Sequence, residues 1–198
     1  MLVAVKYPAA VYRDGGIYVL GWGDVPVLRY NIKDDSWSTL SSANLHGLGV
    51  SAVIVGDIIY ACGGDECKIY DIESNQWQSL KSIPNILDHP KIIALNGLVY
   101  AIGGMDMLAG SSVLLSSVYV YHPSNDTWTS LHSMPEERAE HALTVADGKI
   151  YVIGGWNGSG QTTRANGVFI YNPETDSWTE GPSLPLPRSE HFAVTCQI

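Results

Sequence analysis

Four short apolar runs recur along the chain: Ile17-Tyr18-Val19-Leu20, Ile58-Ile59-Tyr60-Ala61, Leu98-Val99-Tyr100-Ala101 and Ile150-Tyr151-Val152-Ile153. Each is unbroken by polar residues and rich in β-branched and aromatic side chains, which predicts strands buried on both faces. A turn pair precedes each run: Asp14-Gly15, Gly56-Asp57, Asn96-Gly97 and Asp147-Gly148. Such pairs supply the positive φ of a tight hairpin, so another strand must come before each turn. Further on, Lys33-Asp34-Asp35-Ser36, Glu73-Ser74-Asn75-Gln76, Ser124-Asn125-Asp126-Thr127 and Glu174-Thr175-Asp176-Ser177 form a second polar cluster in each unit. Their short side chains bond nearby backbone and close a second hairpin. The unit is therefore four antiparallel strands, and no helical period competes with it.

The spacing of aromatic residues shows that the unit repeats. Trp37, Trp77, Trp128 and Trp178 each follow a tyrosine by seven positions, namely Tyr30, Tyr70, Tyr121 and Tyr171. A second set, Tyr18, Tyr60, Tyr100 and Tyr151, is followed three positions later by Gly21, Gly63, Gly103 and Gly154, and in the last three units by Gly64, Gly104 and Gly155 as well. From each tryptophan to the next second-set tyrosine the separation is always 23, whereas glycine to the following tyrosine varies as 9, 7, 18 and 17. All variation in length is thus confined to one connection per repeat.

A four-stranded unit buried on both faces needs neighbours over both apolar surfaces, and radial stacking around an axis provides them. The residues that carry the repeat also resemble the kelch repeat, Tyr-x-x-Gly-Gly, then Tyr, then Trp. The resemblance covers essentially the whole chain. It is strongest from Arg138 to Arg188, which is similar to repeats of the Kelch-like adaptor proteins. Two departures stand out: Trp22 replaces the second glycine of the first repeat, and Gly47 and Leu87 stand where later repeats open with arginine.

The resemblance implies an all-β, kelch-type β-propeller. Its blades would span residues 5–46, 47–87, 88–137 and 138–187, with 188–198 as the inner strand of a fifth. Kelch propellers usually close with five to seven blades, and the 23-residue rule places the next tyrosine beyond Ile198, so the expectation is an arc with both ends inside a repeat. A closed ring of four blades is the alternative, against which stands the spare inner strand.

Composition narrows the functional classes. Eleven Lys and Arg against 20 Asp and Glu give a formal charge of −9, which repels phosphate backbones and anionic lipid and argues against nucleic-acid and membrane partners. Apolar residues make up 45% of the chain, yet no run approaches the 18 or so residues of a membrane span. Three cysteines, Cys62, Cys67 and Cys196, cannot complete a disulfide framework, so free thiols in a reducing, cytoplasmic compartment are expected.

Candidate chemistry is sparse. The glycine pairs end strands and lack the pattern of a phosphate loop, so close backbone approach explains them better. One tyrosine and one tryptophan per repeat in fixed register are what packing between blades requires, although a sugar-stacking surface would use the same residues. Cys62 and Cys67 make half a zinc site with no second half at ligand spacing, and the six dispersed histidines assemble into no nucleophile set. Neither a metal nor another cofactor is expected.

Surface candidates lie in the connections. By resemblance, Arg138 and Arg188 would face a partner pocket at the propeller mouth and grip acidic residues of a bound peptide; a solvated or blade-stapling role is the alternative. The variable loops Met105 to Ser117 and Trp156 to Gly167 offer Met105, Asp106, Met107, Trp156 and Asn157 for a protein partner, or they cover the blade edge. Asn125 and Asn157 fit glycosylation sequons that matter only in an exported protein.

The resemblance implies a non-enzymatic protein-binding module, the substrate-recognition propeller of a Kelch-like adaptor in a cullin ubiquitin-ligase pathway. Actin or cytoskeletal attachment has the same support. Some kelch propellers are oxidases or sugar epimerases, but nothing here singles out their chemistry, and no small-molecule substrate is expected.

Overall fold

The computed structural model describes residues 3–46, 49–64, 66–85, 88–106, 113–158 and 163–195. Its strands form four four-stranded antiparallel sheets, each taken in chain order. Blade I is β1 (Ala9–Arg13), β2 (Gly16–Leu20), β3 (Pro26–Asn31) and β4 (Ser36–Ser42). Blade II is β5 (Ser51–Val55), β6 (Ile58–Gly63), β7 (Glu66–Asp71) and β8 (Gln76–Ser79). Blade III begins with β9 (Ile92–Leu95) and β10 (Leu98–Ile102), detours through a ribbon of β11 (Met105–Asp106) and β12 (Val113–Leu114), and resumes with β13 (Val118–His122) and β14 (Thr127–Ser130). Blade IV is β15 (Ala142–Ala146), β16 (Lys149–Ile153), β17 (Val168–Asn172) and β18 (Ser177–Gly181).

Turn chemistry sets the registers. Asp14-Gly15, Asn96-Gly97 and Asp147-Gly148 carry positive φ at both residues, the form that follows the right-handed twist of the strands they join. Register then puts Tyr30 opposite Trp37, Tyr70 opposite Trp77, Tyr121 opposite Trp128 and Tyr171 opposite Trp178. In every blade these rings lie tilted with centroids 4.9 to 5.1 Å apart.

β1 lies against β5, β5 against β9 and β9 against β15, so the first strand of each blade lines a channel walled by Ala10, Ala52, Ile93 and Leu143. Three apolar clusters join blade I to II, II to III and III to IV, and among the described residues no cluster joins IV to I. The arrangement is an arc. Second strands register this: β10 is buried along nearly its whole length, while β2 and β16 alternate. The expectation that all four runs are buried on both faces is corrected for these two, because each borders a blade with one uncovered face.

Each seam is closed by the same polar clamp. Trp77 Nε1 donates to Ser41 O at 3.1 Å, Trp128 Nε1 to Lys81 O at 2.9 Å and Trp178 Nε1 to His132 O at 2.9 Å. The N–H groups of the same three residues donate to Asn75, Asp126 and Asp176 at 3.0, 3.2 and 2.9 Å. Those turn side chains also accept the hydroxyls of Tyr70, Tyr121 and Tyr171. One residue of the preceding blade, four past its tryptophan, is thus held at both its N–H and its C=O, which satisfies a backbone pair that would otherwise be orphaned at the seam.

Two expectations are corrected. Residues 188–195 form no strand. Arg188 O accepts the Gly155 N–H at 2.7 Å, Glu190 N–H donates to Glu140 O at 2.9 Å, and the Thr195 hydroxyl donates to Val145 O, but Phe192 and Val194 remain 85% and 83% exposed. Among the described residues no strand pairs with this segment. Cys62 and Cys67 are not free thiols but a disulfide: the short β6–β7 hairpin places them directly opposite, with Cα atoms 4.2 Å apart. Spacing alone concealed a pair that register makes adjacent. Cys196 lies outside the described residues.

Candidate site at the channel mouth

One backbone position recurs just ahead of each first strand. Tyr7, Gly49, His89 and Glu140 precede β1, β5, β9 and β15 by the same register, and Glu190 occupies that place ahead of the segment beside β15. All five are left-handed, with φ of 47°, 75°, 46°, 52° and 55°. Four non-glycine residues in this region indicate a backbone that the surrounding fold over-determines, since each costs of order 1 kcal/mol or more. All five also line a single cavity of about 430 Å³ at one end of the channel, with Trp156, His191 and Phe192 on its wall.

Electrostatics at this mouth are mixed. His89 Nε2 lies 3.1 Å from Glu140 Oε1, Lys91 Nζ lies 3.7 Å from Glu140 Oε2, and His89 Nδ1 lies 3.6 Å from Asp88. Glu140 is therefore engaged, while Glu190 is exposed and forms no ion pair among the described residues. Trp156 carries the Arg164 guanidinium 5.2 Å from its ring centroid. Behind the mouth, His141 is fully buried, and burial first, then the nearby cations Lys91 and Arg138, push its pKa down to about 3. His191 is shifted down for the same leading reason.

The residues singled out in the sequence are dispersed by the fold. Arg138 is only 2% exposed: its guanidinium meets Glu136 at 2.6 Å and lies over the Phe169 ring at 5.1 Å, at the seam of blades III and IV and not in the mouth cavity. Its stapling role is the one the geometry supports. Met105 is 1% exposed and packs with Leu114, Ala139 and Trp156, so the loop expected to present it to solvent instead folds back as the β11–β12 ribbon. Asp106 is half-buried in the same ribbon, Asn157 is half-buried beside Trp156, and Arg188 is exposed. Met107 lies outside the described residues. Among the described residues no group of three or more His, Cys, Asp or Glu side chains could hold a metal, and no helix is long and apolar enough to cross a membrane.

The kelch motif model matches residues 89–135 and 137–185, which are blades III and IV. The chain is a kelch-repeat propeller. It is 26% identical over 171 residues to alpha-scruin of Limulus polyphemus, covering 76% of this chain and 19% of that protein. It is 27% identical over 151 residues to Kelch-like protein 38 of Mus musculus, covering 72% of this chain and 26% of that protein. The solved structure of YjhT superposes with a TM-score of 0.79 at 15% identity, over 95% of this kelch propeller and 68% of YjhT, a likeness of fold alone. This kelch chain thus spans about a quarter or less of the length of these two curated relatives.

Sequence reasoning missed the mouth position. Its occupants Tyr, Gly, His, Glu and Glu share no chemistry, so no residue-type motif marks them. Counting back from the second-set tyrosine, which fixes the register of the kelch repeat, would have aligned them.

Proposed function

We propose that this kelch propeller is a protein-recognition module that does no chemistry itself and serves as the substrate-binding part of a Kelch-like adaptor for a cullin ubiquitin ligase. The observation that carries the reading is the mouth position: five backbones of one conformation present a tyrosine, a glycine, a histidine and two glutamates to one cavity. A rigid frame with interchangeable side chains is how a repeat scaffold acquires a specific partner. The similarity to Kelch-like protein 38 supports the adaptor assignment.

Partner contacts fall to Tyr7, His89, Glu190 and Trp156 in the mouth, with Arg188 and Asn157 flanking it. Burial removes Arg138 from that set. The test is quantitative affinity capture on the purified chain, comparing wild type with Trp156→Ala plus Glu190→Ala and with the outer-strand control Thr129→Ala. Proteins retained by wild type and the control are expected to be lost from the double variant. Equal recovery by all three would reject the mouth as the partner site.

A further inference from the structure

Two positions recur at every internal seam: the residue two past the second-strand tyrosine and the residue three before the third-strand tyrosine. They are Leu20 and Val27 between blades I and II, Cys62 and Cys67 between II and III, and Ile102 and Val118 between III and IV. The ladder sets Ile102 opposite Val118 just as it sets Cys62 opposite Cys67. All six are buried, none more than 2% exposed. Two of the seams are thus filled at this place by branched aliphatic pairs, which hold by packing whatever the redox conditions. Two cysteines carry less apolar volume than either pair, and a free thiol acts only as a small hydrophobe. Between blades II and III a covalent bond stands in for packing.

The bond lies at the mouth end of blade II. Ser51, Cys62 and Cys67 form one row across β5, β6 and β7, and Gly49 and Val50, just before Ser51, line the mouth cavity. Gly63, next to Cys62, backs onto Val50, where a Cβ on the glycine would lie 3.4 Å from Val50 Cγ2. Across the seam the Ser51 hydroxyl oxygen accepts the Ile92 N–H at 3.1 Å, and Ile92 follows Lys91, which faces Glu140. Gly49 is the one glycine among the five mouth positions, so this part of the frame has the least stiffness of its own.

We infer that Cys62 and Cys67 form a redox latch on the mouth: as a disulfide they hold the blade II wall rigid, and as two thiols they let the ends of β6 and β7 and the approach to β5 open locally. Reduction consumes two molecules of a low-molecular-weight thiol such as glutathione. The first thiolate attacks one sulfur, forming a mixed disulfide and releasing the other cysteine as a thiolate that takes up a proton. The second thiol then frees the remaining cysteine and leaves joined to the first as glutathione disulfide, so two electrons and two protons reach the protein. Because both sulfurs are buried, attack waits on the same local opening that the bond restrains. The latch regulates the site proposed above and rests on that reading, but its test reads backbone exchange with no partner present, so the two can fail separately.

Hydrogen exchange followed by mass spectrometry on the full chain, oxidised and after treatment with millimolar reduced glutathione, tests the latch. Reduction is expected to speed exchange about tenfold in peptides covering 49–55, 58–64 and 66–71 and to leave β16 and β17 unchanged. Cys62→Ile plus Cys67→Val, which copies the pair between blades III and IV, is expected to exchange at the oxidised rate under both conditions, and Cys62→Ala plus Cys67→Ala at the reduced rate under both. The wild-type comparison needs no variant and decides the matter even where a substitution perturbs the core. Exchange that reduction of wild type does not alter overturns the inference, as does acceleration spread equally over β16 and β17, which would mark global opening. A disulfide that glutathione leaves intact in the folded chain overturns it too.

Discussion

The indole of Trp178 donates to the main-chain carbonyl of His132 across the seam between blades III and IV at 2.9 Å. Asp176, two residues before that tryptophan, accepts the N–H of the same His132 at 2.9 Å and the Tyr171 hydroxyl at 2.7 Å. The Tyr171 hydroxyl bond, followed by the His132 N–H, lowers the Asp176 pKa. Burial first and the Asp176 hydrogen bond second raise the Tyr171 pKa. A hairpin turn thereby reads one residue of its neighbour, and blade order follows from backbone hydrogen bonds as much as from apolar contact.

Trp178→Phe and Trp178→Ala separate the two contributions of this ring. Phenylalanine keeps the stack on Tyr171 and loses the bond to His132 O, which should cost about 1 kcal/mol. Alanine also removes a large, half-buried ring, and a loss of about 3 kcal/mol is expected. Urea unfolding followed by far-ultraviolet circular dichroism measures both. Equal losses would mean that the hydrogen bond contributes nothing.

Gly103 and Gly148 both have positive φ but differ in their surroundings. A Cβ on Gly103 would run into Arg138 O and the side chains of Met134 and His141, whereas one on Gly148 would meet nothing within 4 Å. Gly148→Ala should therefore cost about 1 kcal/mol of backbone strain, and Gly103→Ala on the order of 3 kcal/mol because the seam must also part. Thermal denaturation of the two variants ranks them. The reverse order would contradict the close approach of blades III and IV.

His141 makes stability depend on pH. Its folded pKa of about 3 lies below the ordinary 6.5, so the stability contributed by the neutral ring is fully present above about 6.5 and declines as pH falls toward 3. The groups facing it are Lys91 just ahead of β9, Arg138 from the approach to β15, and His191. Urea midpoints measured from pH 7 to pH 4 should fall more steeply for wild type than for His141→Leu. Parallel slopes would remove His141 as a source of the dependence.

The Cys62–Cys67 disulfide closes a short loop, and the chain-entropy model assigns such a loop about 2 kcal/mol. Alkylation of the unfolded, unreduced chain should label Cys196 alone, and prior reduction should expose all three cysteines. Urea unfolding with and without reductant gives the stability difference. Three labelled cysteines before reduction would show that the opposed thiols are not joined.

Much of the blade was legible in the sequence because its determinants are local. Asp14-Gly15 and Asn96-Gly97 must turn, Ile58 to Ala61 must extend, and a tyrosine seven positions before a tryptophan falls opposite it once the intervening turn is a tight hairpin. The candidate site was less legible. Arg138 was expected at the mouth from its place ahead of a first strand, but Phe169 and Glu136, one of them distant in sequence, draw its guanidinium into a seam. Met105 read as a loop residue until β12 supplied a partner that turned it inward.

The amino-acid order alone determined the strand, the hairpin, the fourfold recurrence and the confinement of length change to one connection, since each depends on residues within a few positions of one another. Only the tertiary structure decided which carbonyl each indole reaches, which tyrosines lack a neighbour, that Cys62 meets Cys67, and that Tyr7, Gly49, His89, Glu140 and Glu190 share one cavity. Those are relations between blades some 40 to 50 residues apart, and they exist only after separate sheets have been set side by side.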